Sequence, residues 1–138
     1  MVDALRRAHR MVTRNGAVVD VHPTDAPASM EVGAHVIGDV DAGDAPLRHV
    51  AAEAALKITV DTGLFEVDTV VGFDFYTYGD TVEELRDYIV ENWRNARIDD
   101  DVVERAERAL RGARVGVRPC VLERVCLTTL RPIARIEG

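Results

Sequence analysis

Residues 64–78, LFEVDTVVGFDFYTY, decide the fold class of this 138-residue chain. Apolar and polar residues alternate along this stretch with the period of two that a half-buried β-strand requires. The stretch therefore predicts a strand with one core face. That face carries Phe65, Val67, Thr69, Val71, Phe73 and Phe75, and the opposite face is mixed and ends in Tyr76 and Tyr78.

Helical patterns flank this strand on both sides. Residues 46–62 form an apolar stripe that ends at Gly63, which favours a helix packed on the sheet. Asp80 and Glu83 have the spacing of a capping box, which predicts a helix over 80–96, and a second helix follows over 100–111. The buried stripe of the helix over 46–62 is predicted to contain Leu47, Val50, Ala51, Ala54 and Ile58.

The outer parts of the chain predict further elements of both kinds. A helix over 3–13 precedes a strand over 17–22, and a second strand over 30–38 has one apolar face. Residues 115–130 are apolar on both faces, which is typical of a central strand. The order α-β-β-α-β-α-α-β predicts an α/β fold bordering on α+β, with a mixed sheet of about four strands, packed helices and a single domain over 1–138.

Composition limits the classes of function. The chain is 47% hydrophobic and 30% charged, with a net charge of −7, so a core can form but a broad basic face for nucleic acid is not expected. No apolar run approaches the roughly 20 residues of a membrane span, and the N-terminus lacks the apolar centre of a signal peptide. We therefore expect a cytoplasmic protein without membrane contact.

Residues 4–22, ALRRAHRMVTRNGAVVDVH, resemble the helix, turn and fifth strand of class I S-adenosylmethionine-dependent methyltransferases. Gly16 and the apolar pair Met11–Val12 match the family pattern, whereas Arg14 and Asn15 replace its Pro-Gly. The later elements follow in the family's order, with 64–78 as the sixth strand. The resemblance implies that the last strand, 115–130, inserts antiparallel between strands five and six, and that 30–38 is an insertion.

The resemblance covers only the C-terminal half of the family fold. The glycine-rich loop and the acidic residue that bind the cofactor belong to the other half, and no G-x-G-x-G follows a strand here. We therefore expect no cofactor, and S-adenosylmethionine only if a partner supplies the glycine-rich loop. The resemblance also implies that strand 17–22 is an apolar edge, which needs cover from a hairpin made by 30–38, a second copy or another protein.

Five residues are predicted to form a ligand-binding rim. Asp20 and His22 share a face at the end of their strand, and ligands of open α/β sheets bind at such ends. The family topology implies that Tyr76, Tyr78 and Arg118 come to the same rim. A histidine oriented by a carboxylate could act as a general base, but the simpler interpretation is that His22 caps the strand end and forms a hydrogen bond to the following loop.

The sequence contains two further candidate sites. Trp93 is a secondary pocket candidate, or it packs between helix and sheet. Asp20, His22 and His35 could bind a metal ion, but surface histidines are the simpler interpretation. We assign no catalytic residue and predict no metal site.

Three functional hypotheses remain open. The first is a non-catalytic binding or assembly module that forms a homo-oligomer or docks on a partner at the 17–22 edge. The second is a small-molecule-binding protein or minor enzyme that uses Asp20, His22 and Tyr76. The third is the C-terminal part of a split methyltransferase.

Overall fold

In a computed structural model of the chain, which describes residues 1–134, helices and strands follow the order that the sequence predicts, and the α/β fold class is confirmed, with a sheet that is antiparallel rather than mixed. Within these residues, no helix combines the length and the apolar character needed to cross a membrane. The elements are α1 (Val2–Met11), β1 (Val18–Pro23), β2 (Ser29–Val32), β3 (His35–Asp39), α2 (Ala45–Asp61), β4 (Phe65–Tyr78), α3 (Val82–Asn92), α4 (Asp100–Arg111) and β5 (Pro119–Pro132).

β5 is the central strand, as its apolarity on both faces predicts. It pairs antiparallel with β1, from Val18 opposite Leu130 onward, and antiparallel with β2. β4 also pairs with β5. The Gly79 N–H donates to the Pro119 carbonyl and the Ile133 N–H to the Leu64 carbonyl, so these two strands run in opposite directions.

The predicted single strand over 30–38 is a hairpin of β2 and β3, which raises the number of strands to five. Gly33 and Ala34 turn the chain with φ values of 56° and 67°. Positive φ at both central residues is the geometry of a tight two-residue hairpin turn. β2 pairs with β3 and β5, so the hairpin does not supply the cover suggested for the edge of β1.

The described residues form two compact units. Unit 1 contains Met1–Thr24, Arg48–Phe73 and the described residues from Val125 onward, and unit 2 contains Asp25–Leu47 and Asp74–Arg124. β4 and β5 contribute residues to both units. Each unit has its own apolar core, in unit 1 formed by Leu5, Ala55, Leu56, Phe65 and Leu130.

The core of unit 2 lies between its strands and two helices. Met30 of β2 and Val121 of β5 are fully buried against Leu85 and Ile89 of α3. Helix α4 adds Val102, Val103 and Ala106 to this core.

The N-cap of α3 is Thr81 rather than the predicted Asp80, because the Thr81 hydroxyl accepts a hydrogen bond from the Glu84 N–H.

The buried side of α2 was predicted wrongly. Leu47 is 74% exposed, and Val50 and Ile58 are also exposed. The helix instead buries Ala55, Leu56 and Thr59, and the Thr59 hydroxyl donates to the Leu56 carbonyl. A satisfied hydroxyl can be buried at little cost, so the most apolar side of α2 need not be the buried one.

The core face predicted for β4 was also wrong. Only Phe65 is buried, whereas Phe73 is 39% and Phe75 is 52% exposed. Phe65 packs into the core of unit 1 and contacts the His9 ring edge-on, with 5.2 Å between ring centroids. After Phe65, the apolar side chains of β4 are exposed to solvent.

Candidate functional site

Three side chains of unit 1 form a hydrogen-bonded clamp between β1 and α2. The Nδ1 of His22 lies 2.5 Å from Asp20 Oδ2, and its Nε2 lies 2.7 Å from Glu53 Oε1. The side chains of His22 and Asp20 are 9% and 14% exposed, whereas that of Glu53 is 58% exposed. We call Asp20, His22 and Glu53 the histidine clamp.

Strand alternation explains how β1 contributes to the clamp. Asp20 and His22 lie opposite Thr128 and Cys126 of β5, so all four side chains project from the same face of the sheet. Successive side chains of a strand point to opposite faces, which leaves Val19 and Val21 on the other face, where both are exposed. The polar face of β1 is therefore the covered face.

The two carboxylates determine the protonation of His22. Burial alone would lower the pKa of His22, but the hydrogen bonds to Asp20 and Glu53 outweigh it and raise the pKa above 6.5. Carboxylates only accept hydrogen bonds, so both ring nitrogens donate when both bonds are made. His22 is then an imidazolium between two acceptors.

This geometry bears on the proposed general base. A base needs a nitrogen lone pair directed at the substrate, and in the clamp neither nitrogen has one. The predicted bond from His22 to the following loop is replaced by the bond to Glu53. In its described arrangement, the clamp joins an element of the sheet to a helix.

Sequence reasoning missed Glu53. It is the only acidic residue of 45–60, in a run of alanines, and it lies three residues before the buried Leu56. Positions three apart share one side of a helix. A stripe centred on Leu56 would have placed Glu53 at the border of the buried side.

The other predicted rim residues belong to unit 2. Tyr76 and Tyr78 stack with 6.0 Å between ring centroids, and the Arg118 guanidinium lies 4.9 Å from the centre of the Tyr78 ring. Arg118 also lies 3.6 Å from Asp80. Partial loss of hydration and the nearby Asp74 and Glu31 raise the pKa of Tyr76. Tyr76, Tyr78 and Arg118 thus form one aromatic and cationic group, whereas Asp20 and His22 form part of another.

The remaining candidates have structural surroundings. Trp93 packs against the apolar core of unit 2. Among residues 1–134, no three or more His, Cys, Asp or Glu side chains are arranged to hold a metal ion. Cys120 and Cys126 are free thiols, and burial raises the pKa of Cys120.

A second candidate feature is the exposed apolar surface of β4. Seven of its side chains are 39–62% exposed, although each is apolar or aromatic. Large exposed apolar surfaces mark interaction sites in soluble proteins. The seven are Val67, Val70, Val71, Phe73, Phe75, Tyr76 and Tyr78.

Comparison of the chain with protein-family models, curated proteins and solved structures found no match. The interpretation of both candidate features therefore depends on their geometry.

The raised pKa of His22 has a measurable consequence. In an NMR titration, His22 is expected to titrate above 6.5, and in Asp20→Asn at a lower pH, because burial remains while one charged acceptor is lost. The folded-state pKa is raised, so the clamp stabilises fully below pH 6.5 and less as the pH rises through the raised pKa. A wild-type value at or below 6.5 would show that the clamp does not form in solution.

Proposed function

We propose that the chain is a non-catalytic binding and assembly module, which works in the cytoplasm by associating through its exposed strand β4. The observation that carries this proposal is the apolar exposure of β4 along nearly its whole length. Native proteins usually protect edge strands, since an unpaired apolar edge is a template for another chain. A partner strand would pair with the main-chain edge, and its own side chains would lie beside the exposed apolar side chains of β4.

The histidine clamp supports a non-catalytic role. Both nitrogens of His22 are engaged by carboxylates, and the clamp holds β1 against α2. A minor enzyme based on Asp20, His22 and Tyr76 gains less support, because Glu53 would have to leave before His22 could accept a proton.

A second proposal is that the chain is the C-terminal part of a split methyltransferase. The pairing of β5 with both β1 and β4 supports it, because the resemblance implies a last strand placed between the fifth and sixth strands. A partner would then supply the glycine-rich loop, and S-adenosylmethionine would bind only to the assembly. The outer edge of β1, which pairs only with β5 among the described residues, would be the place for that partner.

Crosslinking in cells tests whether β4 is the surface of association. Val71→Lys places a charge on the exposed strand, and Val90→Lys places the same charge at an equally exposed position of α3. We expect wild type and Val90→Lys to be recovered in crosslinked assemblies, and the yield of assemblies from Val71→Lys to fall about tenfold or more, since lysine on an edge strand opposes pairing with another chain.

The composition of these assemblies separates the proposals. Recovery of a second protein with a glycine-rich loop, with equal yield from wild type and Val71→Lys, would favour the split enzyme. Recovery of the wild type and both variants only as uncrosslinked chains would contradict assembly.

A further inference from the structure

β4 lacks two of the usual protections of an edge strand, namely lysine and proline. It is 14 residues long and pairs with β5 on one side, and the described residues place no strand on its other side. Natural edges carry lysine or proline to prevent pairing with other chains, and β4 contains neither. Gly72, near its middle, has no atom within 4 Å of the position of an added Cβ, so this part of the strand is open.

The charges of β4 are largely compensated within the chain. In unit 1, Asp68 lies 3.4 Å from Arg131, and in unit 2, Asp74 lies 3.8 Å from Arg124. Glu66 is the remaining acidic residue of the strand. A basic partner is therefore not required, and a second strand with equally compensated charges can approach without a strong local repulsion.

The exposed area suits a dimer. Aromatic side chains bury about 150–250 Å² each, and the seven exposed side chains of β4, which are distributed over both faces of the strand, retain about half of their surface, roughly 600 Å² in total. A stable interface buries about 800 Å² on each partner. The main-chain edge and the polar side chains of the strand contribute the remainder.

We propose that a second copy of this chain pairs its β4 antiparallel with β4 across a two-fold axis, which specifies the partner of the assembly function proposed above. A two-fold interface uses the same patch on both copies, and an antiparallel strand pair is the arrangement that a two-fold axis perpendicular to the sheet produces. The interface therefore lies on β4, rather than on the 17–22 edge that the sequence suggested. β1 is six residues long and exposes only Val19 and Val21 among its large apolar side chains.

Charge predicts the salt dependence of this dimer. Each copy carries a net charge of −7, so two copies repel each other at long range. Added salt screens that repulsion, and the dimer is expected to become tighter with salt. An interface held by ion pairs between copies would become weaker.

Sedimentation equilibrium of the purified chain tests the proposal. Wild type and Val90→Lys are expected to dimerise, and Val71→Lys is expected to raise the dimer dissociation constant about 100-fold, because the two-fold axis introduces each charge twice. Val21→Lys, on the edge of β1, is expected to leave the constant unchanged. Circular dichroism verifies folding, and Val70→Lys replaces Val71→Lys if the latter does not fold.

Three results would overturn the proposal. These are a wild-type monomer at every concentration, a dimer unaffected by both β4 variants, and a dimer lost in Val21→Lys. A purified monomer that still forms Val71-dependent assemblies in cells would overturn self-pairing alone and leave the assembly function with a different partner. Monomers in both experiments would overturn both.

Discussion

Replacing Phe65 by alanine is expected to lower the free energy of unfolding by about 3–5 kcal/mol. Phe65 is fully buried in the core of unit 1, where Leu5, Leu56 and Leu130 surround it. Truncation removes the largest side chain of that core and leaves a cavity. Denaturant unfolding followed by circular dichroism measures the loss.

Phe75→Ala is the matched control for this substitution. The sequence places Phe75 on the same face of the same strand, but it is half exposed, so its truncation is expected to cost less than about 1 kcal/mol. Both substitutions should be made in the Val71→Lys background, so that association through β4 does not contribute. Equal losses would mean that the chain itself covers the whole apolar face of β4.

Replacing His22 by alanine is the second substitution with a large expected effect, about 3 kcal/mol of stability at neutral pH. The variant leaves the Asp20 carboxylate, whose side chain is 14% exposed, without its imidazolium partner and near Glu53. An uncompensated buried charge costs more than the ion pair itself contributes. The loss should persist at mildly acid pH, because the raised pKa of His22 means that the clamp stabilises fully below pH 6.5.

Glu53→Gln separates the two halves of the clamp. The Glu53 side chain is 58% exposed and solvent screens its charge, so this change is expected to cost less than about 1 kcal/mol. Urea unfolding of both variants at neutral and acid pH measures the difference. If Glu53→Gln destabilised as much as His22→Ala, the buried carboxylate would not be the source of the cost.

The sequence predicted those features that depend on the pattern of apolar and polar residues along a single element. β5 is apolar on both faces, and a strand with two apolar faces is stable only with cover on both, so its central place could be inferred. The alternation of β4 predicts a strand equally well. It cannot predict whether another element covers the apolar face, and here cover ends at Phe65.

Non-local contacts and unusual turns escaped prediction for physical reasons. Glu53 reaches His22 across 31 positions of the sequence, and no local pattern encodes such a pair. The hairpin turn uses Ala34 at φ 67°, a conformation in which alanine is uncommon, so the expected Asn-Gly or Asp-Gly signal was missing. Apolar and polar residues alternate through the turn, so the sequence pattern of the hairpin is that of a single strand.

The ladder between β1 and β5 also governs when the chain can fold. Val18 and Leu130 pair although they lie 112 residues apart (130 − 18), and closing such a loop is slow. During synthesis, the valines of β1 leave the ribosome long before β5 does. The nascent chain therefore carries an unpaired apolar strand for most of its translation, a period in which chaperone binding would protect it from aggregation.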